Sequence, residues 1–214
     1  MPLWPNSDET LQLLNNAGGG DAGAVNQLLE RHRNSLRRAV HLRLDRALAR
    51  RVDASDIVQD VLVEANTRLA DYLRDPRLPF HLWLRQLAKD RIIDMHRRHR
   101  GAQRRSVDRE QGMSVPGAGG QSSINLAGLL PDAELTPAAA ALRRELEERF
   151  LLALEQLEED DREIILMRHV EQLGNTEVAQ ALDLSPAAAG MRHLRALRKL
   201  RAILGDTPSQ AGWT

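Results

Sequence analysis

Five basic side chains, Arg192, Arg195, Arg198, Lys199 and Arg201, fall within residues 184–204, a stretch with no acidic residue. A second basic run, 77–109, sets ten Lys and Arg against three Asp and Glu. Between them, 132–163 holds four basic and eleven acidic residues. Cations at this density fit the phosphates of a polyanion. Arg adds a planar fork for phosphate or guanine. Solvated helix faces carry such runs too, so charge alone leaves both readings open. Asp56, Gln59 and Asp60 offer a different chemistry, an acidic and amide patch. Carboxylates only accept hydrogen bonds and repel phosphate, so this patch fits a protein partner better than DNA. His96 and His99, with Asp94 nearby, have the residue types of metal ligands. Five arginines within 97–105 would repel a cation there, and neither a His-Glu-x-x-His spacing nor a second cluster occurs. A Gly-rich phosphate loop and a nucleophile elbow are also missing. No catalytic residue, metal or cofactor is therefore expected.

The elements that must position these groups read as helices. Hydrophobic residues make up 42% of the 214, but aromatics only 3%, so cores must be built from Leu, Ala, Val and Ile. Apolar residues recur at helical spacing from Ala24 to about Leu48, with Asp21 as N-cap. A second helix starts near Asp53 or Ser55, with Ile57, Val58, Val61, Leu62, Ala65 and Leu69 inward. After a loop with Pro76 and Pro79, a third runs from Phe80 to about Arg98, with Phe80, Leu84, Leu87, Ala88, Ile92 and Met95 inward. Residues 106–137 are rich in Gly, Pro and Ser without a sustained period, which predicts a flexible linker. Beyond it, Leu142, Leu146, Phe150, Leu154 and Leu157 form the stripe of a helix from Ala138 to Leu157. Asp160 and Glu163 have the spacing of a capping box opening the next helix, through about His169.

The fold class expected is therefore all-α, with two small helical domains on a flexible tether. The boundaries are an N-terminal extension over 1–20, a first domain over 21–105, the linker over 106–137, a second domain over 138–204 and a frayed tail over 205–214. There is no cysteine, no signal-peptide pattern and no apolar stretch long enough to span a membrane, which fits a cytoplasmic protein.

The second domain ends in two short helices joined at Leu184-Ser185-Pro186. Val178, Ala179 and Leu182 face inward on the first. Ser185 caps the second and Pro186 sits at N1. Ala189, His193, Ala196, Leu197 and Leu200 stripe its inner side, leaving the arginines outside. This is the layout of a helix-turn-helix, whose second helix enters the major groove.

Together these segments resemble an extracytoplasmic-function sigma factor of bacterial RNA polymerase. "DASDIVQDVLVEAN" is similar to the family's A-E-D-[IL]-x-Q-[ED]-[VT]-F pattern. "FHLWLRQLAKDRIIDMHRRHR" is similar to F-x-x-W-L-x-x-I-A-x-N-x-x-x-D-x-x-R-R. "LEQLEEDDREIILMRHVEQLGNTEVAQALDLSPAAAGMRHLRALRKLR" resembles region 4. The resemblance implies that 21–105 is the region 2 bundle and 138–204 the region 4 helix-turn-helix. It places Asp56, Gln59 and Asp60 on the clamp of the largest catalytic subunit of core RNA polymerase. It places Arg85, Lys89, Asp90, Arg91, Arg97 and Arg98 at the promoter's −10 element, with the loop 73–79 as the holder of a flipped base. It assigns Ala187, Ala188, Gly190, Met191, Arg192, Arg195 and Lys199 to the −35 element. Promoter DNA and an anti-sigma factor are implied partners, with the free protein a monomer. Two departures stand out. Asp90 replaces the pattern's Asn, and Ala187-Ala188-Ala189-Gly190-Met191 replaces the common G-T-V-K-S. The competing reading is a free-standing helix-turn-helix regulator with an unrelated N-terminal domain.

Overall fold

The computed structural model describes residues 3–5, 7–44, 52–107 and 136–205, and every regular element among them is helical. Residues 108–135, most of the expected linker, lie outside the described residues, as do Leu48 and the tail beyond Gly205. The chain forms two compact units, one over Trp4–Ile124, the other over Asn125–Thr214 with Met1–Leu3.

The first unit begins with α1 (Ser7–Gly18), a helix within the expected extension. It buries Thr10 and Leu14, and Glu9 pairs with Arg31 of the next helix at 2.6 Å. Gly20 turns the chain at φ 90°, in the left-handed region that glycine enters freely. Asp21 then caps α2 (Ala22–His41), its carboxylate accepting from the Gly23 and Ala24 amides at 2.8 and 3.2 Å. α3 (Ala54–Arg74) opens the same way, with Asp53 accepting from Ser55 N at 2.7 Å. α4 (Phe80–Val107) continues nine residues past the expected end at Arg98. The core joins Leu28, Leu36 and Val40 of α2, Ile57, Val61 and Ala65 of α3, and Leu84, Leu87 and Ile92 of α4. Each buried Leu or Ile stabilises the bundle by about 1.5–3 kcal/mol. Leu36→Ala would remove that and leave a cavity, at a cost of about 2–5 kcal/mol.

The second unit holds α5 (Pro137–Glu155), α6 (Glu159–Ile165), α7 (Asn175–Ala181) and α8 (Pro186–Gly205). Thr136 caps α5, accepting from Ala139 N at 3.3 Å, with Pro137 at N1. Three expectations are corrected here. Leu142 and Leu146 are exposed, and only the C-terminal part of the α5 stripe, Leu154 with Leu157 beyond it, is buried. No Asp160 capping box forms. Glu158 holds the N-cap position without a side-chain bond, and Asp160 lies in the first turn, where the helix dipole favours an anion. α6 does not reach His169 as a regular helix but widens into a π-helical turn over Leu166–Val170. Its core residues Ile164, Ile165, Leu166 and Met167 are fully buried. Four consecutive apolar side chains can all be covered only if neighbours flank the helix on more than one side.

Candidate nucleic-acid interface

Asp56, Gln59 and Asp60 all project from the exposed side of α3. Val63, one turn further on, is 58% exposed and extends this face with an apolar group. It escaped the sequence reading because a lone valine among inward-facing neighbours gives no signal. Gln59 Oε1 accepts from Arg33 Nη1 of α2 at 3.2 Å. Asp60 accepts from Arg91 of α4, with Nε 3.1 Å from Oδ2. Two residues assigned by resemblance to different partners therefore touch.

Along α4 the candidate residues separate. Arg85 is 3% exposed, so its guanidinium is not presented to a phosphate, contrary to expectation. Its neighbours Leu82, Leu84, Leu87 and Ala88 are buried too, because α2 and α3 both pack on this stretch. Lys89 is half-buried and Asp90 exposed. Partial desolvation, helped by Glu64 and Asp94 and opposed by Lys89, raises the Asp90 carboxyl above its ordinary value. Arg97 and Arg98 are exposed, with Asp94 Oδ1 4.0 Å from Arg97 Nη1. Ahead of α4, Tyr72 OH donates to Leu78 O at 3.0 Å and so anchors the loop, which is 75–79 rather than the expected 73–79 because Leu73 and Arg74 still belong to α3. Burial pushes that phenol up to about 12. The Trp83 ring stacks on Tyr72 at 4.6 Å and leans on Phe80 at 5.6 Å, which makes Trp83 part of the packing under the loop. Trp4 and His32 extend this aromatic cluster from the N-terminal side.

In the second unit the turn between α7 and α8 places Asp183 at φ 54°. Asn175 Nδ2 donates to Pro186 O at 2.9 Å, and Ser185 Oγ accepts from Ala188 N at 3.2 Å. Both bonds fix the start of α8. Ala187, Ala188, Met191, Arg195, Arg198 and Arg201 are exposed, while Gly190 is half-buried. Leu194 is exposed as well. It belongs neither to the inner apolar stripe of α8 nor to its basic side chains, so neither pattern marks it. Arg192 pairs with Asp160 at 3.1 Å, and Lys199 with Asp161 and Glu158 at 2.6 and 3.2 Å. The acidic start of α6 therefore already holds two of the cations assigned to DNA. His193 is half-buried, its Nε2 2.9 Å from His169 Nε2, and desolvation lowers both imidazoles.

A helix-turn-helix with an exposed cationic second helix defines a DNA-binding protein. Its kind follows from the families that the chain matches. Residues 28–102 match the model of sigma-70 region 2, and residues 147–200 that of sigma-70 region 4. The chain is 30% identical to RNA polymerase sigma factor CnrH of Cupriavidus metallidurans over 189 residues, 88% of this chain and 90% of that one. It is 27% identical to the ECF sigma factor SigD of Mycobacterium tuberculosis over 188 residues, 86% and 79% of the two chains. Among solved structures, CnrH in complex with the cytosolic domain of CnrY matches at a TM-score of 0.59 and 24% identity, covering 95% of this chain and 100% of that one. RpoE of Bartonella quintana with the anti-sigma factor NepR matches at 0.54 and 20%, covering 86% and 98%. The chain belongs to the sigma-70 family, as an extracytoplasmic-function RNA polymerase sigma factor. Such a factor initiates transcription without catalysing a reaction of its own. The region 2 match removes the alternative of a free-standing regulator with an unrelated N-terminal domain. No helix among the described residues is long and apolar enough to cross a membrane.

Proposed function

We propose that this sigma factor acts in the cytoplasm by docking on the clamp of the largest catalytic subunit through the α3 face and by gripping a promoter at two points. The α3 face consists of Asp56, Gln59, Asp60 and Val63. In this reading region 2 spans 21–105 and meets the −10 element with Lys89, Asp90, Arg91, Arg97 and Arg98, while the loop 75–79 takes a flipped base. Arg85 has no part in it. Region 4 spans 138–204 and meets the −35 element with the outer side of α8, from Ala187 through Arg198. Lys199 stays with Asp161 as a brace. The free chain is a monomer that an anti-sigma factor can hold, as NepR does for RpoE. The observation that carries the reading is the exposure of the acidic α3 face on the unit whose next helix, α4, displays Arg97 and Arg98. Such a helix pair has one side for a protein and another for a polyanion.

Gel filtration with core polymerase tests it. The wild-type chain co-migrates with core and protects both promoter elements, and Asp56→Ala with Gln59→Ala co-migrates weakly while keeping its thermal midpoint. Undiminished co-migration of that variant would remove the α3 assignment. A wild-type chain that elutes apart from core would remove the whole reading.

A further inference from the structure

The entry of α8 is short of groups that could read a base by hydrogen bonding. From Pro186 to Met191 the helix carries no hydroxyl, amide or charged side chain. Its outer side shows Ala187, Ala188, then Met191 at 57% and Leu194 at 49% exposure, followed by Arg195 and Arg198. Positions 187, 191, 194, 195 and 198 share one face at the helical repeat. The flanking cations are already held, Arg192 by Asp160 and Lys199 by Asp161 and Glu158.

An exposed apolar pair on a helix can serve a protein partner. Here Arg195 and Arg198 continue the same face and 184–204 lacks any acid, so charge complementarity selects a polyanion. The N-terminal part of such a helix is the part that meets base edges. In the major groove every base pair offers donors and acceptors, but only one base carries a projecting apolar group, the C5-methyl of thymine. We propose that Met191 and Leu194 read thymine methyl groups in the −35 duplex. Sequence choice by this helix is then made by apolar contact, with Arg195 and Arg198 holding the backbone. This rests on the −35 assignment of α8 above. The small residues at 187, 188 and 190 fit it, since they let the helix backbone come close to the groove floor. The fold itself does not demand glycine at 190, because an added Cβ would meet only Asn175 Oδ1, at 3.9 Å.

The test uses holoenzyme assembled from the full chain and core polymerase, with promoter duplexes selected from random DNA. Each thymine in the protected −35 duplex is replaced in turn by deoxyuridine, which keeps every hydrogen-bonding edge and removes only the methyl. Affinity is expected to fall about fourfold at one or two positions, the worth of one buried methyl-sized group. Met191→Ala and Leu194→Ala holoenzymes should no longer distinguish thymine from uracil there. Both side chains are exposed, so unchanged thermal midpoints are expected for the variants. Uracil tolerated at every −35 position, in a duplex that stays protected, would overturn methyl reading. So would a selected −35 element without thymine. A uracil effect undiminished in both variants would overturn the roles of Met191 and Leu194. Protection confined to the −10 side would instead overturn the −35 assignment on which the proposal rests.

Discussion

Asp60→Asn separates the two faces of the first unit. Asp60 pairs with Arg91, and their side chains are 49% and 27% exposed. Water screens such a pair, which contributes at most about 1 kcal/mol to folding. Against the polymerase clamp the same carboxylate would make a charge-assisted hydrogen bond where water is excluded. That bond is worth about 1.5–3 kcal/mol, roughly 10- to 150-fold in Kd. Asp60→Asn is therefore expected to lower the thermal midpoint by no more than about 5 °C and to weaken core binding at least tenfold. Arg91→Ala breaks the same ion pair from the other side. It should cost as little stability, raise core affinity by no more than about fivefold because the clamp no longer competes with Arg91 for Asp60, and weaken binding to −10 DNA. Titrating labelled protein with core polymerase, beside thermal melts, reads all of these. Core affinity indifferent to Asp60→Asn would refute the reasoning. So would an Arg91→Ala loss of equal size, because Asp60 would then matter only as part of a structural pair.

Three further outcomes follow from the geometry. Gly190→Ala should stabilise α8 by up to about 1 kcal/mol, since alanine is the better helix former and its Cβ has room. It should also weaken −35 binding, and a variant that is stabilised and binds as before would exclude close backbone approach. Asp160→Asn should raise affinity for the −35 duplex, because Arg192 is freed and one carboxylate no longer repels phosphate. Unchanged affinity would mean that Arg192 stays off the DNA. His32 is buried, its Nδ1 2.8 Å from the Leu28 carbonyl, and desolvation, with His81 and Arg31 adding, lowers it from 6.5 to about 4. The unfolded chain therefore takes up this proton first, and stability falls as pH drops from about 6.5 toward about 4. The loss is about 2 kcal/mol by pH 5. Urea midpoints at pH 7 and 5 should show it, and His32→Phe should flatten it. A wild-type slope in that variant would assign the pH dependence to other groups.

Features that depend on a few adjacent residues were legible in the sequence. Asp21, Asp53 and Ser185 each precede an apolar helical repeat, and each accepts a hydrogen bond from a first-turn amide. Most inward residues of α3 and α4 followed from their spacing, but Met95 is only half-buried and the buried Tyr72 and Leu82 lay outside the expected stripes. Features decided by packing were not legible. Arg85 is buried because α2 and α3 converge on that part of α4, and a helical repeat read on one element cannot register two neighbours. Leu142 and Leu146 continue an apolar stripe beyond the point where the rest of the unit covers it. The helix in the N-terminal extension has only 12 residues and two buried side chains, Thr10 and Leu14, so an apolar stripe did not mark it. The ion pairs Asp60–Arg91 and Asp160–Arg192 join residues 31 and 32 apart, well beyond the reach of any local pattern.

Those pairs also bear on a DNA-binding chain whose formal net charge is zero. In both units, cations assigned to the promoter rest on carboxylates of their own unit. The Arg91 and Arg192 pairs are exposed enough to exchange at small cost, under about 1 kcal/mol each. Lys199 differs, because Asp161 beneath it is buried and would be left as a lone carboxylate in a desolvated place. Exchange therefore releases the arginines and retains the lysine. In the free chain the displaced carboxylates would still face the phosphates, and a low affinity for DNA is expected from that repulsion. Polymerase alters both conditions. A clamp that takes Asp60 releases Arg91 in the same step. Holding both units on one promoter then makes the second contact intramolecular, at a high effective concentration. If α3 docks on the clamp as proposed, promoter binding would in this way be conditional on that docking.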